Sequence, residues 1–317
     1  MSPGSRSNPC PREATRLAGR KQNLRLRAEM VRSIRHFFIE RDYLEVETPY
    51  LISAPAPEMH IDLIAAGRRC LHPSPELCMK RLLAAGLPRI FQIGKCFRKG
   101  ERGDLHLPEF TLLEWYRTGI DYRALMEECE ALIRFLACSL GRGEDILYRE
   151  KAIDLGTRWE RLSVREAFDR YAPVSLDEAM ARGCFDEVLV ERIEPHLGTT
   201  RPTFLYDYPA PLAALARLKP GNSSVAERFE IYLAGMEIAN GFSELNDPGE
   251  QRARFERENQ ARADAGKETY PLPERFLQSL ADMPQAAGIA LGVDRLAMIF
   301  CNAPRIDEVI AFTPEET

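Results

Sequence analysis

Two neighbouring segments decide the fold: RIFQIGKCFR at residues 89–98 and FTLLEW at residues 110–115. Both are rich in β-branched and aromatic residues, which favour strands. The segment from Lys99 to Pro108 between them is charged and contains glycine, which is typical of a loop. The sequence therefore predicts a long antiparallel hairpin with an irregular, mobile tip.

Three further segments predict strands. Residues 43–51 are β-rich and alternate, and Pro49 predicts that this strand lies at a sheet edge or is broken there. Residues 229–245 predict a strand pair with a glycine-containing middle, and residues 288–300 predict a strand that leads into an apolar helix. With helices between and around these strands, the pattern favours an α+β domain on an antiparallel sheet flanked by helices, rather than alternating βαβ units.

Helical patterns fill much of the remaining chain. Apolar residues recur at helical spacing from Leu24 to Phe38, and helical periodicity returns from about Tyr122 to Leu140. Residues 150–200 are acidic and predict several helices. Residues 253–265 predict a charged helix with a solvated face, because arginine and glutamate are interspersed along it.

Composition sets limits on location and chemistry. Residues 1–22 show no periodicity, so we expect a flexible tail there and one domain over residues 23–317. The net charge is -5, and no apolar run approaches the roughly 18 residues of a membrane span, so a cytoplasmic protein is expected. The eight cysteines form no C-x-x-C pair and the five histidines never lie four apart, which argues against a thiolate or imidazole metal site.

Arg98 ends the first strand of the predicted hairpin. A guanidinium in this place can project into a cleft and bind a phosphate through two parallel hydrogen bonds. Glu101 follows closely, so an ordinary charged hairpin turn explains the same residues without a ligand. Taken alone, this segment does not decide between the two interpretations.

The predicted strand pair carries two acidic residues, Glu230 and Glu237. On strands joined by a short turn around Gly235 their side chains could converge, and paired carboxylates provide the hard oxygen ligands that Mg²⁺ bound to a triphosphate requires. Gly241 permits close approach or an unusual backbone angle. A strand with polar residues facing solvent is the alternative, although its apolar face is irregular.

The sequence GVDR at residues 292–295 lies at the predicted strand-to-helix junction. A helix N-terminus offers free N–H groups and partial positive charge, and Arg295 adds a guanidinium for a phosphate. A glycine turn with Asp294 as the N-cap is the alternative. The usual glycine-rich phosphate loops do not occur, so any nucleotide is bound in another way.

Together and in this order, these segments resemble the three signature motifs of class II aminoacyl-tRNA synthetases. The helix and strand ending in Pro49 resemble motif 1, residues 97–111 resemble motif 2, and residues 292–295 resemble motif 3. Further blocks, SPE at residues 74–76 among them, resemble the lysine pocket of lysyl-tRNA synthetases. The tetrapeptide EWYR at residues 114–117 most resembles the sequences of a related stand-alone family, the elongation factor P lysyltransferases.

This resemblance implies an enzyme that uses ATP and Mg²⁺ to activate (R)-β-lysine, or lysine, as an adenylate. The activated group is then expected to pass to a lysine ε-amine of elongation factor P. The resemblance also implies a homodimer formed through motif 1, with no tRNA and no membrane as partner, because only a short tail precedes motif 1 where lysyl-tRNA synthetases carry an anticodon-reading domain. Two alternatives are a stand-alone enzyme of this fold with tRNA or ammonia as the acceptor, and a non-catalytic regulatory subunit.

Roles carry over residue by residue. Arg98 and Arg295 would be catalytic and hold the α- and γ-phosphates, while Glu230 and Glu237 would hold Mg²⁺. The residues implied for ATP are Arg98, Lys99, Gly100, Glu101, His106, Leu107, Phe110, Glu237, Ile238, Gly292 and Arg295. The residues implied for the amino-acid pocket are Ser74, Pro75, Glu76, Glu114, Tyr116, Asn240, Phe242, Glu244 and Ala290.

Within the implied pocket, carboxylates select the substrate. Glu76 would face one amino group, and Tyr116 and Glu244 would take the ε-ammonium. A partly desolvated carboxylate rejects neutral side chains, because they would leave it unpaired. Ala290 stands where lysyl-tRNA synthetases usually have glycine, and its methyl group would reshape the end of the pocket where a β-amino acid differs.

Three departures from the family pattern lie on the ATP side. Gly100 replaces a glutamate, Leu107 replaces an asparagine, and Asp104 stands where the loop usually has arginine. Arg102 would supply the charge that Asp104 lacks. These departures concern ATP affinity and not the type of reaction.

Overall fold

The computed structural model describes residues 13–317. Its helices are α1 (Glu13–Ile39), α2 (Glu76–Ala84), α3 (Tyr122–Ser139), α4 (Val164–Tyr171), α5 (Leu176–Arg182), α6 (Phe185–Val188), α7 (Pro248–Asp264), α8 (Glu274–Ser279) and α9 (Val293–Cys301). Its strands are β1 (Leu44–Glu45), β2 (Leu51–Ile52), β3 (Ala65–Ala66), β4 (Arg69–Leu71), β5 (Arg89–Phe97), β6 (Glu109–Thr118), β7 (Asp145–Tyr148), β8 (Lys151–Asp154), β9 (Glu160–Ser163), β10 (Thr203–Pro209), β11 (Leu218–Lys219), β12 (Asn222–Leu233), β13 (Met236–Ser243) and β14 (Ala286–Gly292).

A central sheet of nine strands carries the fold. Its order is β1-β5-β6-β14-β13-β12-β10-β9, and β11 pairs with β12. Neighbouring strands run antiparallel except for the pairs β1–β5 and β9–β10, which are parallel. Strands β2, β4 and β3 form one small sheet, and β7 and β8 form another. The predicted α+β architecture on a mostly antiparallel sheet is confirmed.

The two faces of the central sheet differ in what covers them. One face packs on α1, α3 and α9 in a core that includes Phe38, Trp115, Leu132 and Ile299, all fully or almost fully buried. Because successive side chains of a strand point to opposite faces, Tyr116 points away from this core. The opposite face is covered in part by α2 and α8. The remainder of that face borders a cavity.

Most predicted elements are confirmed close to their expected bounds. The hairpin forms from β5 and β6, and its register runs from Arg89 opposite Arg117 to Phe97 opposite Glu109. The predicted strand pair forms from β12 and β13, and the predicted strand-to-helix junction forms from β14 and α9. The predicted helix after the hairpin is α3. Residues 150–200 contain α4, α5 and α6 but also β8 and β9, so the helical prediction there is incomplete.

The predicted tail boundary at residue 22 is wrong. Helix α1 begins at Glu13, so residues 13–22 are helical, and residues 1–12 lie outside the described part of the chain. Arg20 explains why the helix extends this far, because its guanidinium pairs with Glu316 at 2.7 Å and donates to the carbonyl oxygen of Ala311 at 3.0 Å. A contact to the far end of the chain leaves no local pattern in the sequence.

Residues 43–51 do not form one strand. The chain pairs with β5 only as β1 and then leaves the central sheet to reach β2. At the break, the backbone N–H of Thr48 donates to the side chain of Gln92 at 3.0 Å, and Pro49 has no N–H to donate. The expected break at the proline is therefore present, but it separates strands of two different sheets.

Helix α7 has the solvated face that its charges predict, with Glu256, Arg257 and Gln260 exposed, but its other face buries charged residues. Arg254 and Phe255 are buried, and Arg262 is only 1% exposed. The Arg262 guanidinium donates to the carbonyl oxygens of Glu58 at 2.8 Å and Ile61 at 2.9 Å. A buried guanidinium is stable only where its donors are matched, so this helix holds a loop in place. Within residues 13–317, no helix combines the length and the apolar character that crossing a membrane requires.

Candidate active site

A cavity on the open face of the central sheet collects most of the predicted site residues. Its lining includes Ser74, Glu76, Arg98, Glu101, His106, Leu107, Phe110, Glu114, Tyr116, Glu237, Ile238, Asn240, Phe242, Ala290, Gly292 and Arg295. These residues come from α2 and the segment before it, from the hairpin, and from β13, β14 and the start of α9. Segments far apart in the chain therefore meet around one space.

Three adjacent strands, β6, β14 and β13, form the floor of the cavity, and their register sets site residues side by side. Ala290 of β14 lies opposite Glu114 of β6 on one side and Asn240 of β13 on the other. Two residues away, Gly288 lies between Tyr116 and Phe242 in the same manner. Because side chains two residues apart in a strand share a face, both rows point to the cavity. A Cβ on Gly288 would overlap the Tyr116 ring, so this position requires glycine for packing.

Arg98 lies where β5 ends, and its guanidinium has no strong ion pair. Its nearest carboxylate is Glu101 at 3.6 Å, and its Nε has no hydrogen-bond partner in the described structure. The ring of Phe110 lies below it, with the guanidinium carbon 5.1 Å from the ring centroid. A half-buried cation with unmatched donors is suited to binding an anion in the cavity.

Arg295 is more strongly bound to the protein. It donates to the carbonyl oxygen of Glu237 at 2.7 Å and to its carboxylate at 3.3 Å. It also lies 2.5 Å from Nε2 of His106. Burial, and then the nearby Arg295 charge, lower the pKa of His106, so its neutral ring accepts this hydrogen bond. Arg98 and Arg295 thus place two guanidinium groups along one side of the cavity.

Asp294 is not the N-cap of α9. The N-cap is Gly292, which makes no side-chain capping bond, whereas Asp294 lies buried inside the first turn. Its carboxylate accepts from the backbone N–H of Thr111 at 2.7 Å and pairs with Arg27 of α1. The residue therefore connects the start of α9 to the hairpin and to α1. A Cβ on Gly292 would meet only ordinary contacts at 3.8 Å, so the backbone there is open to the cavity.

The opposite end of the site is acidic and contains an ammonium group of the protein itself. Lys80, almost completely buried, lies 2.5 Å from Glu76 and 2.5 Å from Glu244. Glu114 accepts from Ser74 at 2.6 Å and from the Tyr116 hydroxyl at 2.7 Å. The sequence interpretation left Lys80 without a role and assigned Tyr116 and Glu244 to the substrate ammonium, whereas in this structure both groups already have protein partners.

Burial changes the acidity of these carboxyl groups. It raises the pKa of Glu114 to about 7, with the charge of Glu76 acting in the same direction. It raises the pKa of Glu244 to about 8, although the Lys80 ammonium opposes the rise. An incoming cation stabilises the ionised form of a carboxyl group that titrates near neutrality. The acidic end is therefore suited to a substrate that carries ammonium groups.

Five predicted residues do not line the cavity: Pro75, Lys99, Gly100, Glu230 and Glu244. Pro75 is the N-cap of α2, and Lys99 donates its backbone N–H to the carbonyl oxygen of Asp62 at 2.7 Å. Gly100 takes a positive φ of 80° in the hairpin loop. Glu244 lies behind the lining in its pair with Lys80. Of these five, Lys99 and Gly100 are exposed, and Oε1 of Glu244 lies close to Gly288 of the cavity floor.

Glu230 is bound by its own strand. It accepts from Arg228 at 2.7 Å and from the Tyr232 hydroxyl at 2.8 Å, while Glu237 lies at the cavity and contacts Arg295. The two acids are close enough that Glu237 contributes to the raised pKa of Glu230, after the larger effect of burial. Residues 13–317 contain no group of three or more histidine, cysteine, aspartate or glutamate side chains arranged for a metal ion.

Gly241 allows the close approach that was expected of it, whereas Arg102 does not have its expected role. A Cβ on Gly241 would overlap Phe229 and Ile289, so this glycine allows close packing within the sheet. Arg102 does not face the cavity, because it pairs with Asp307 at 3.0 Å and Glu315 at 2.8 Å. Arg102 was expected to compensate for Asp104, but it attaches the hairpin loop to the C-terminal residues.

Among the cavity residues without a predicted role, two carry a charge. Glu58 faces the cavity from the loop that precedes β3, and Arg228 faces it from β12. Arg228 alternates with Glu230 and Tyr232 in the strand, so a period of two could have identified it. Glu58 follows Pro55 and Pro57 in a segment without periodicity, and its backbone is held by Arg262, 204 residues away.

Comparisons with known proteins agree with this arrangement. Residues 14–316 match the family model described as tRNA synthetases class II (D, K and N). A relative from Vibrio cholerae is 41% identical, with 91% of this chain and 94% of the relative covered. Relatives from Proteus mirabilis and Klebsiella pneumoniae are 40% and 39% identical, and each comparison covers 92% of this chain and 94% of the relative. All three relatives are named elongation factor P–(R)-β-lysine ligase.

Proposed function

This chain belongs to the class II tRNA synthetases of the D, K and N group, and we propose that it is a ligase acting on elongation factor P. In this proposal the enzyme activates (R)-β-lysine, or lysine, with ATP and transfers it to a lysine ε-amine of that protein. One observation carries the proposal: a single cavity is lined by guanidinium groups, among them Arg98 and Arg295, and by carboxylates, among them Glu76 and the buried Glu114. Such a site can hold a phosphate chain and a cationic amino acid next to each other.

The first step joins the amino acid to the nucleotide. An oxygen of the substrate carboxylate attacks the α-phosphorus of ATP, the bond to pyrophosphate breaks, and an aminoacyl-adenylate forms. Arg98 stabilises the charge that develops on the α-phosphate, since its guanidinium has unmatched donors. Arg295 holds the γ-phosphate, and ATP must then compete with Glu237 and His106 for its donors.

Mg²⁺ fits this site only as a partner of the triphosphate. Glu237 at the cavity and the nearby Glu230 offer hard carboxylate oxygens, and phosphate oxygens and water would complete the coordination. The bound ion neutralises charge on the phosphates. Because Glu230 is already bonded to Arg228 and Tyr232, it must change partners to bind the ion.

The acidic end selects the amino acid. Glu76 and Glu244 share one protein ammonium, Lys80, and Glu114 lies beside Tyr116. A substrate with two ammonium groups brings the positive charge that these buried carboxylates lack, whereas a neutral side chain would leave them unpaired. The methyl group of Ala290 lies between Glu114 and Asn240 and limits the space at the floor.

The second step transfers the aminoacyl group. The acceptor amine attacks the carbonyl carbon of the adenylate, a C–N bond forms, and AMP leaves with the electrons of the broken C–O bond. We expect the working form to be a cytoplasmic homodimer joined through the motif 1 segment, with elongation factor P and not tRNA as acceptor. The three named relatives support this acceptor.

Two assays test the proposal. ATP–pyrophosphate exchange with (R)-β-lysine or α-lysine measures activation, and we expect exchange with at least one isomer. A mass shift on purified elongation factor P, measured beside labelling of tRNA, identifies the acceptor. Label on tRNA alone would contradict the acceptor assignment, and absence of exchange with both isomers would favour a regulatory subunit instead.

A further inference from the structure

Glu58 is a carboxylate of the cavity that neither activation nor amino-acid selection uses. It lies in the loop between β2 and β3 and faces the same space as Arg98 and Glu76. Within residues 13–317, the Glu58 side chain has no hydrogen bond and no ion pair. Its surroundings act on it through burial and through nearby charges. The residue is half-buried, and a cavity carboxylate without a protein partner is available to a group bound in that cavity.

The loop around Glu58 is held firmly by helix α7 and the segment after it. Arg262 donates to the carbonyl oxygens of Glu58 and Ile61 and pairs with Asp62 at 2.9 Å. The backbone N–H of Met59 donates to Glu258 at 2.7 Å, and the Lys267 ammonium donates to the Met59 carbonyl oxygen at 3.1 Å. These bonds fix the backbone while the Glu58 side chain stays without a partner.

The charges around Glu58 place its titration near neutrality. Burial raises its pKa to about 7; the charges of Glu76 and Glu258 act in the same direction, and those of Arg98 and Arg228 oppose them. A carboxylate that is partly ionised at neutral pH is suited to accept a proton during a reaction. Arg98, the residue that the activation step assigns to the α-phosphate, lines the same cavity, and its charge acts on Glu58.

We propose that Glu58 accepts the proton that the acceptor amine must lose before it attacks the adenylate. This inference rests on the proposed function, because it assumes an amine acceptor. The acceptor arrives as an ammonium group, and only the neutral amine has an electron pair for the carbonyl carbon. Glu58 takes one proton as the C–N bond forms, the C–O bond to AMP breaks, and the amide nitrogen releases a second proton to solvent.

The alternative role, binding an amino group of the substrate, predicts a different result. A substrate-binding carboxylate would be needed already for activation, so its loss would raise the KM for the amino acid in pyrophosphate exchange. A proton acceptor for the second step would leave exchange nearly unchanged. The two half-reactions therefore separate these roles.

The experiment compares wild type with Glu58→Gln, Glu58→Asp and the control Glu258→Gln. Glu258 holds the same loop through Met59 but does not line the cavity. Pyrophosphate exchange is measured first, and wild-type exchange tests the proposed function separately from this inference. Single-turnover transfer from preformed adenylate to elongation factor P is then followed between about pH 6 and 9.

For Glu58→Gln we expect exchange within about twofold of wild type and transfer reduced about 10²-fold or more. The wild-type transfer rate should rise and level off above about pH 7, whereas in this variant it should keep rising to about pH 9 as more of the acceptor amine becomes neutral. Glu58→Asp should recover part of the transfer rate. Hydroxylamine, which is largely neutral at these pH values, should accept the aminoacyl group from both enzymes at similar rates.

Three results would overturn the inference. Equal losses in exchange and transfer would assign Glu58 to substrate binding. Unchanged transfer would show that the proton goes elsewhere. A loss in Glu258→Gln as large as in Glu58→Gln would show that loop position matters and not the carboxylate. If Glu58→Gln does not fold, the same comparison with Glu58→Asp decides, and an unchanged transfer rate and pH profile would then contradict the proposal.

Discussion

Lys80 positions the carboxylates at the acidic end of the site before substrate binds. Its ammonium is almost completely buried between Glu76 and Glu244. Two charges held this close out of water depend on each other, and removal of one leaves the other unmatched. A cation of the protein itself therefore holds in place the carboxylates that a cationic substrate is expected to contact.

Lys80→Met should destabilise the folded protein by about 3 kcal/mol, because it leaves Glu76 and Glu244 without their shared cation. Added lysine should raise the melting temperature of this variant more than that of wild type, since the substrate ammonium then supplies the missing charge. Arg81→Met is the matched control, because Arg81 is the exposed neighbour of Lys80. Equal stability of the two variants, measured by denaturant unfolding, would show that the pair contributes little.

Amino-acid binding should depend on pH through Glu114 and Glu244. Burial raises the pKa of Glu114 to about 7 and that of Glu244 to about 8, so both are largely protonated below these values. An ammonium substrate binds the ionised form, and we therefore expect the KM for lysine to fall as pH rises from about 6 to 9 and to level off only above the pKa of Glu244. Pyrophosphate exchange at saturating ATP measures this. A KM for lysine that is constant over the range would contradict it.

Residues differ in how far the sequence alone could predict them. Arg98 follows directly after β5 and Arg295 lies in the first turn of α9. The order of these segments and their resemblance to known motifs selected them, where each segment alone did not. Glu58 and Lys80 required partners that lie far away in the chain, such as Arg262 for the first and Glu244 for the second. Neither partner can be read from a local pattern, because the contact exists only after the sheet has formed.

Strand β14 is the element on which the geometry of the site depends. It lies between β6 and β13, and two of its glycines face the cavity for different reasons. A Cβ on Gly288 would overlap the Tyr116 ring and lie 2.5 Å from Glu244, whereas a Cβ on Gly292 would meet only ordinary contacts. Neither glycine has a positive φ, so the space around each one decides the effect of a substitution.

Gly288→Ala and Gly292→Ala should therefore differ. Overpacking at Gly288 should cost about 1–3 kcal/mol of stability and raise the KM for lysine, because Tyr116 must move. Gly292→Ala should leave stability nearly unchanged and raise the KM for ATP if the nucleotide lies against this backbone. Denaturant unfolding and exchange kinetics measure both. A loss of lysine affinity in Gly292→Ala alone would reverse the assignment of the two ends.

Elements with a regular period were predicted well, and elements fixed by distant contacts were not. The hairpin of β5 and β6, the pair of β12 and β13, and the β14–α9 junction follow from residue composition and glycine position. The solvated face predicted for α7 is present, but the burial of Arg254 and Arg262 on its other side was not predicted, because their partners are backbone carbonyl groups of other segments. Charge alone does not predict exposure when such acceptors are available.

The molecule as a whole leaves apolar side chains exposed near motif 1. Ile39, Leu44, Tyr50 and Leu51 are between 44% and 56% exposed, at the end of α1 and along the segment that leads to β2. Contiguous apolar side chains on a surface commonly mark a protein interface. The resemblance to motif 1 implies a dimer through this segment, and these side chains are consistent with that proposal.

A double variant, Leu44→Glu with Leu51→Glu, should convert a dimer into monomers, because charges in an apolar interface must be desolvated without partners. Light scattering after size-exclusion chromatography measures the mass. The matched control is Leu147→Glu with Val190→Glu, since these residues are 58% and 55% exposed but lie outside motif 1. We expect a dimer for wild type and control and a monomer for the motif 1 variant. A dimer that persists in that variant would place the interface elsewhere, and a monomeric wild type would show that motif 1 forms no interface.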